Sequence, residues 1–337
     1  MRTKNILFTV AAIFLVFIFA VIALIGLDVM YHQKYIDRAG LNYRGYRGKV
    51  SGKKRPSEIR IVMLGGSSLF GYGVQYNQAI PALLEEKLNA QTASKTKKKY
   101  SVINLAYNNE GAYAFYFNLQ DFAYLDYDYV IIYDGYNDLG VGNVVVYRHN
   151  DPVFRMFNYM PILPLIIKEK ILCMRYSGNL EDAYRSKKVT FTPTPKDQIK
   201  ISALENSLKN YSAIENIIKR INKTEKADFD IDVLKNDPWA WYTHYMRKAV
   251  DYALSRNKKV IIITQPYISD THRNQQKSLR EMLNKTYAGN SSVAYFDLGD
   301  SFHLEDTSFC FDGMHLNIKG CEVMAEYIFE RIKELIH

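Results

Sequence analysis

Cysteine is scarce in this chain: three residues in 337, Cys173, Cys310 and Cys321. That count excludes a disulfide-dense scaffold, and no pair has the close spacing of a zinc site. From sequence, Cys310 and Cys321 stay open between a bridge and two separate buried thiols. Tryptophan is scarcer still, with 2 residues against 27 Tyr and 17 Phe. So many amphipathic rings suit a wet binding groove or a surface lying near a membrane. The glycine-rich stretch at 65–73 contains neither Gly-x-Gly-x-x-Gly nor a Gly-Lys-Ser/Thr ending, which argues against a phosphate-cradling loop. The body also lacks excess charge. The formal net charge is +9, but residues 1–60 hold 11 Lys/Arg against 3 Asp/Glu, and residues 61–337 hold 33 against 32. The basic excess therefore belongs to the N-terminal segment, and nucleic-acid binding loses its main support. No internal repeat is present.

What is present is a globular composition, 48% hydrophobic and 23% charged, in a length that fits one large domain or a core with a substantial insertion. Residues 6–27 are almost uniformly apolar and uncharged. A helix of ~20 such residues spans a bilayer core. The run is longer than the apolar core of a cleaved signal peptide, and Ala20 and Ala23 are wrongly spaced for a small-x-small cleavage site. Residues 1–30 read as an uncleaved, single-pass signal anchor. Lys34, Arg38, Arg44, Arg47 and Lys49 follow the span, so a simple positive-inside count puts the C-terminal side in the cytoplasm. Long domains translocate largely regardless of charge, however, and the body is expected outside the cytoplasm. Residues 31–58 read as a basic juxtamembrane linker able to lie on anionic headgroups.

From Ile59 the pattern alternates strand and helix. Apolar, β-branched runs predict strands at 59–64, 100–105, 129–133, 260–264 and 293–297. Helical periodicity predicts helices over 79–89, around 113–122, and over 199–221, 238–256, 272–287 and 317–336. Apolar strands separated by helices imply an α/β fold with a mostly parallel sheet covered on both faces. The charged run at 95–99 reads as a solvated loop. The gap between the third and fourth strands is too long for one crossover, so 143–257 reads as an insertion. Its apolar, proline-broken stretch at 152–167 is too short to span a bilayer. A lid, a surface dipping into the membrane, and packing for the inserted helices all remain open for it.

The first strand runs into Gly65-Gly66-Ser67-Ser68, with Gly71 and Gly73 close behind. Such glycines permit a tight turn and close approach to the backbone. A serine there sits where open α/β sheets place their ligands. Val102 to Gly111 follows the second strand, Tyr133-Asp134-Gly135-Tyr136-Asn137-Asp138 follows the third, and Phe311 to Gly320, which contains Asp312 and His315, precedes the last helix.

Together these four stretches resemble the sequence blocks of the SGNH (GDSL-like) hydrolase family, in order, over residues 59–138 and 293–337. The resemblance implies a three-layer α/β/α, flavodoxin-like domain over 59–337 with an inserted helical cap. It also implies serine-dependent acyl-ester chemistry without metal or other cofactor. Ser67 would be the nucleophile, His315 the general base, and Asp312 the group that orients and stabilises the imidazole. The oxyanion donors would be the Ser67 N–H, a glycine N–H from the second block and the Asn137 side chain. The second block departs from the family pattern, since Ala106 and Asn109 stand at its glycine positions. Either Gly111 serves through a longer loop, or Asn109 gives its backbone N–H. The first block departs too, with Gly66 where the family has aspartate. Asp138 is expected to brace the loop carrying Asn137. An anchored member of this class is expected to hydrolyse or transfer acyl groups of envelope glycans or lipids. The alternative is a non-catalytic scaffold of envelope or polysaccharide assembly that keeps the fold.

Overall fold

The computed structural model describes residues 2–36, 40–92, 98–140, 142–177, 194–221, 229–301 and 303–336. The predicted linker residues 37–39, most of the charged run at 95–99, and residues 178–193 and 222–228 of the predicted insertion lie outside the described residues. The chain divides into two compact units. One comprises Met1–Tyr35 with Asp151–Thr224; the other comprises Ile36–Asn150 with Glu225–His337.

In the second unit, five apolar runs form β1 (Glu58–Gly65), β2 (Lys99–Asn104), β3 (Tyr129–Asp134), β4 (Lys259–Thr264) and β5 (Val293–Phe296). All neighbours pair in parallel, in the order β2-β1-β3-β4-β5. Ile61, Val62, Met63 and Leu64 of β1 and Val130, Ile131 and Ile132 of β3 are fully buried. Consecutive strand residues face opposite sides, so both faces of the sheet are covered. On one face Ile61, Met63, Ile131 and Ile261 pack with Ile80 and Leu84 of α3 (Ile80–Thr92) and with Met324 and Ile328 of α10 (Ile318–Ile332). On the other, α4 (Ala112–Asp121) packs against α8 (Ala240–Ser255), with α9 (Asp270–Tyr287) beside it. Ser269 and Asn317 cap α9 and α10, accepting from the His272 and Gly320 amides at 3.1 and 3.0 Å. Such caps are worth ~1 kcal/mol each. The strand order is the flavodoxin-like one, which reverses direction between β1 and β3 and opens a crevice at their C-terminal ends.

Two boundaries differ from the sequence reading. Within the predicted linker, residues 40–58 fold onto the sheet unit: Arg47 pairs with Asn104 at the end of β2, and Asn42, Tyr46 and Arg47 are buried. Gly40, Gly45 and Gly48 take positive φ, which lets this short segment turn tightly enough to tuck in. Within the predicted insertion, α8 is a sheet-covering helix that buries Trp241, Tyr245, Met246 and Val250. Joining parallel strands such as β3 and β4 requires a crossover of this kind.

The first unit holds α1 (Arg2–Tyr35), α5 (Pro152–Phe157), α6 (Leu163–Arg175) and α7 (Pro195–Ile221). Among the described residues α1 is the one helix long and apolar enough to cross a membrane. Its large apolar side chains from Ile6 to Leu27 are exposed, apart from the half-buried Ile18. Asp28, the first charge after that run, is buried. It accepts from the Tyr159 hydroxyl at 2.5 Å and from the Ile162 and Leu163 amides at 2.9 and 2.5 Å. The first amides of a helix have no intrahelical acceptor, so Asp28 supplies for α6 what α6 lacks. His32 adds a bond to the Met160 carbonyl at 2.9 Å.

Candidate active site

Ser67 opens α2 (Ser67–Phe70), a single helical turn directly after β1, closed by Gly71 at φ 84°. The two glycines before it are fixed by close approach. A Cβ at Gly65 would overlap the Tyr133 carbonyl, and one at Gly66 would overlap Asn137 Nδ2. Ser67 is half-buried and its neighbour Ser68 is buried. The Ser68 hydroxyl donates to the Met314 carbonyl at 3.4 Å, while Ser67 Oγ lies 2.8 Å from His315 Nε2.

On the other side of the ring, His315 Nδ1 lies 2.6 Å from Asp312 Oδ2. Asp312 Oδ1 accepts from the Met314 and His315 amides at 3.0 and 2.7 Å, across a turn with Gly313 at φ 78°. Burial pushes the Asp312 carboxyl up, but the bonds from the His315 ring and the two amides outweigh it and hold the group below its ordinary value. An ionised Asp312 accepts from Nδ1–H and leaves Nε2 as the acceptor facing Ser67. The Cys310 thiol donates to the His315 carbonyl at 3.0 Å. Cys310 and Cys321 are separate buried thiols, and burial pushes that of Cys321 up to about 12.

The second and third blocks meet beside this chain. Asn137 donates to the Glu110 carbonyl at 2.8 Å, and its own carbonyl accepts from Asn143 at 3.0 Å. Gly111 is buried at the N-cap of α4. Asn109 is exposed at φ 61°, the left-handed conformation that asparagine tolerates better than most residues. Ala106 is buried in the hydrophobic core that also holds Ile61 and Met63. Asp138 Oδ2 accepts the Ala112 amide at 2.9 Å, and a Cβ at Gly111 would overlap the same carboxylate. Asp138 thus braces the start of α4, a partner outside its own loop. Asp134 lies beside it, equally buried. Burial raises both carboxyls above the ordinary range: Asp134 is raised further by the neighbouring Asp138, whereas Asp138 is pushed up to about 6 by burial against the lowering effect of its bonds from Asp134 and the Ala112 amide.

Sequence reasoning missed two charged anchors of these loops. Arg148 and Glu110 form a fully buried pair at 2.8 Å, and Arg148 also holds the Leu105 and Gly45 carbonyls. Arg47 reaches the end of α2, donating to the carbonyls of Phe70, Gly71 (2.7 Å) and Val74 (2.6 Å). The available signal for Arg47 was the glycine spacing around it, which a solvated linker does not need.

Among the described residues no three His, Cys, Asp or Glu side chains converge as a metal-ligand set. A recess of about 620 Å³ opens at the other end of the sheet, lined by Lys54, Asp128 and Lys259. Lys54 and Asp128 are paired there at 2.5 Å, and the recess holds no nucleophile–base pair.

The class defined by this architecture is an α/β protein with a Ser–His–Asp hydrogen-bonded chain at the carboxyl end of a parallel sheet. Neither a family profile nor a curated protein sequence matches the chain. Similar solved structures include a lipase/acylhydrolase from Enterococcus faecalis, at 14% identity over 83% of this chain and 97% of that one, TM-score 0.43. Others are the psychrotrophic esterase EstA from Pseudoalteromonas sp. (11%, 82% and 97%, TM-score 0.42) and a family 3 carbohydrate esterase from Clostridium thermocellum (10%, 83% and 97%, TM-score 0.42). At such identities a likeness of this kind concerns the course of the chain and not its chemistry.

Proposed function

We propose that this chain is a serine-dependent acyl-ester hydrolase or acyltransferase of the SGNH type, acting on acyl groups of an envelope glycan or lipid. It would be held at the membrane by residues 6–27 with its catalytic domain outside the cytoplasm. The observation that carries the catalytic reading is the unbroken chain Ser67 Oγ–His315–Asp312, with links of 2.8 and 2.6 Å. Ser67 Oγ attacks the ester carbonyl carbon as its proton passes to His315 Nε2, and the carbonyl electron pair becomes an oxyanion. Collapse breaks the bond to the alcohol, and Nε2 gives its proton to the leaving oxygen. Water, or an acceptor hydroxyl, then repeats the sequence on the acyl-serine, releasing acid or transferred ester and restoring Ser67. The oxyanion would be met by the Ser67 N–H, the Asn137 side chain and the Gly111 N–H. Gly111 is favoured over Asn109 because it is buried at a helix N-terminus, where backbone dipoles favour negative charge.

The test is labelling of the full-length protein with a fluorophosphonate, followed by mass spectrometry of the modified peptide. The label is expected on Ser67. Ser67→Ala and His315→Ala should each remove nearly all ester turnover, and the double variant should be little worse, since the residues act as one unit. A folded Ser67→Ala protein with the wild-type rate would place the nucleophile elsewhere. An unlabelled, inert wild-type protein would favour the scaffold reading.

A further inference from the structure

The acyl-transfer reading divides the space around Ser67 into two halves. The scissile carbonyl oxygen must lie toward Asn137 and Gly111. The leaving oxygen must lie within reach of His315 Nε2, which returns its proton. The alcohol half of the ester therefore occupies the His315 side.

That side is walled by two aromatic rings. Tyr72 lies 4.9 Å from the His315 ring, and Phe311 lies 5.8 Å from it, almost parallel at 17°. The two rings are 6.4 Å apart and tilted by 32°. Tyr72 is 50% exposed and Phe311 48%, although both are large apolar surfaces beside the reacting atoms.

Their backbone supports are tightly constrained. Tyr72 stands between Gly71 and Gly73, both at positive φ (84° and 86°), and a Cβ at Gly73 would lie 2.7 Å from the Phe311 ring. Arg47 holds the carbonyls of Gly71 and Val74 on either side of Tyr72. A platform ordered before binding avoids the entropy cost of arranging it around a ligand.

The chemistry of the surface selects its occupant. A half-wet pair of aromatic faces with a phenol hydroxyl complements a ring that has a C–H face and a hydroxylated rim. A pyranose has that form. The glycerol of a lipid ester offers no such face. We infer that Tyr72 and Phe311 seat a sugar ring, making the alcohol component of the substrate an O-acylated pyranose of a glycan. This inference rests on the acyl-transfer reading above and chooses between its two substrate classes.

The test compares methyl 6-O-acetyl-glucopyranoside with glyceryl triacetate, both of which carry acetate on primary hydroxyls, on the full-length protein in detergent. Wild type is expected to have the higher kcat/KM for the pyranoside. In Tyr72→Ala, Tyr72→Leu and Phe311→Ala, the ratio of kcat/KM values, pyranoside over glyceride, should fall at least tenfold, mostly through KM. Tyr72→Phe should keep the ratio within about threefold, since it retains the ring. Parallel loss on both esters would mean that the rings only position His315, and would overturn the inference. So would an unchanged ratio, or a wild-type preference for the glyceride. Fluorophosphonate labelling separates the two failures. Labelled Ser67 without sugar preference removes the seat alone, whereas absence of labelling removes the catalytic reading and the seat with it.

Discussion

Gly66 occupies the position where the resembling family has aspartate, and the reason is steric. Any Cβ there would meet Asn137 Nδ2. Asn137 is fixed from the other side by its bond to Glu110, so it has little room to yield. Introducing the family's aspartate, or even alanine, should therefore displace the one side-chain donor proposed for the oxyanion. Gly66→Ala and Gly66→Asp are expected to lower kcat/KM by ~10²–10³, the usual cost of losing one such donor. Asn137→Ala should do the same, and the Gly66→Ala/Asn137→Ala double variant should be no worse than either single change. Labelling of Ser67 should be slowed in all of them and abolished in none. Stopped-time labelling gels read this directly, and additive losses would mean that Gly66 acts independently of Asn137.

At the scale of elements, the loop after β3 rests on α9 through a group that is costly to charge. His272 is buried, its ring edge-on to Tyr136 at 5.0 Å, with no hydrogen-bond partner for either ring nitrogen among the described residues. Burial holds its imidazole down to about 4, against about 6.5 in an unfolded chain. Between those values the unfolded state binds more protons than the folded one, so stability falls as pH drops from about 6.5 toward 4. The full effect is at most about 3 kcal/mol. Asp134 and Asp138 act with the opposite sign, because carboxyls raised by burial favour the folded state at low pH and lose that advantage as pH rises. The informative quantity is thus the difference between wild type and His272→Phe. The variant should gain stability relative to wild type at pH 4.5 compared with pH 7.5, measured by denaturant unfolding; a pH-independent difference would mean that His272 does not titrate on unfolding. The sheet around this contact was legible because its strands are short apolar runs whose burial is a local property. All five observed strands start and end within one or two residues of the runs. Arg47 was not legible as part of the fold: its charge suggests solvent, and its partners are the carbonyls of residues 70–74, a pairing that composition does not reveal. The Glu110–Arg148 pair was hidden for the same reason. Ser67 and His315 are 248 residues apart, yet each stands in a local pattern that could be read separately.

At the scale of the whole molecule, the proposed anchoring depends on where the water boundary would fall on α1. Its 34 residues make a helix of about 50 Å, longer than the ~30 Å hydrocarbon core. The apolar run ends at Leu27, and the following charge, Asp28, is satisfied by the 159–163 loop and not by lipid. Under the proposed anchoring, the last two turns of α1 would stand clear of the bilayer as part of a folded unit. Segment 40–53 belongs to the sheet unit instead, since Asn42, Tyr46 and Arg47 are buried there. Cutting the chain at different points should separate these roles. The full chain should stay with membranes through high-salt and carbonate washes and require detergent for release. A chain beginning at Gly40 should leave the membrane and keep a cooperatively folded sheet unit, while its 151–175 segment, deprived of Asp28 and His32, becomes sensitive to limited proteolysis. A chain beginning at Lys54 should be less stable than the Gly40 chain by several kcal/mol, because it removes the buried Tyr46 and the Arg47 donors to three carbonyls. A reporter placed after His337 should be active only outside the cytoplasm. A cytoplasmic signal would mean that the charges at Lys34, Arg38, Arg44, Arg47 and Lys49 oriented the span by the positive-inside rule, and an envelope glycan would then be out of reach of Ser67.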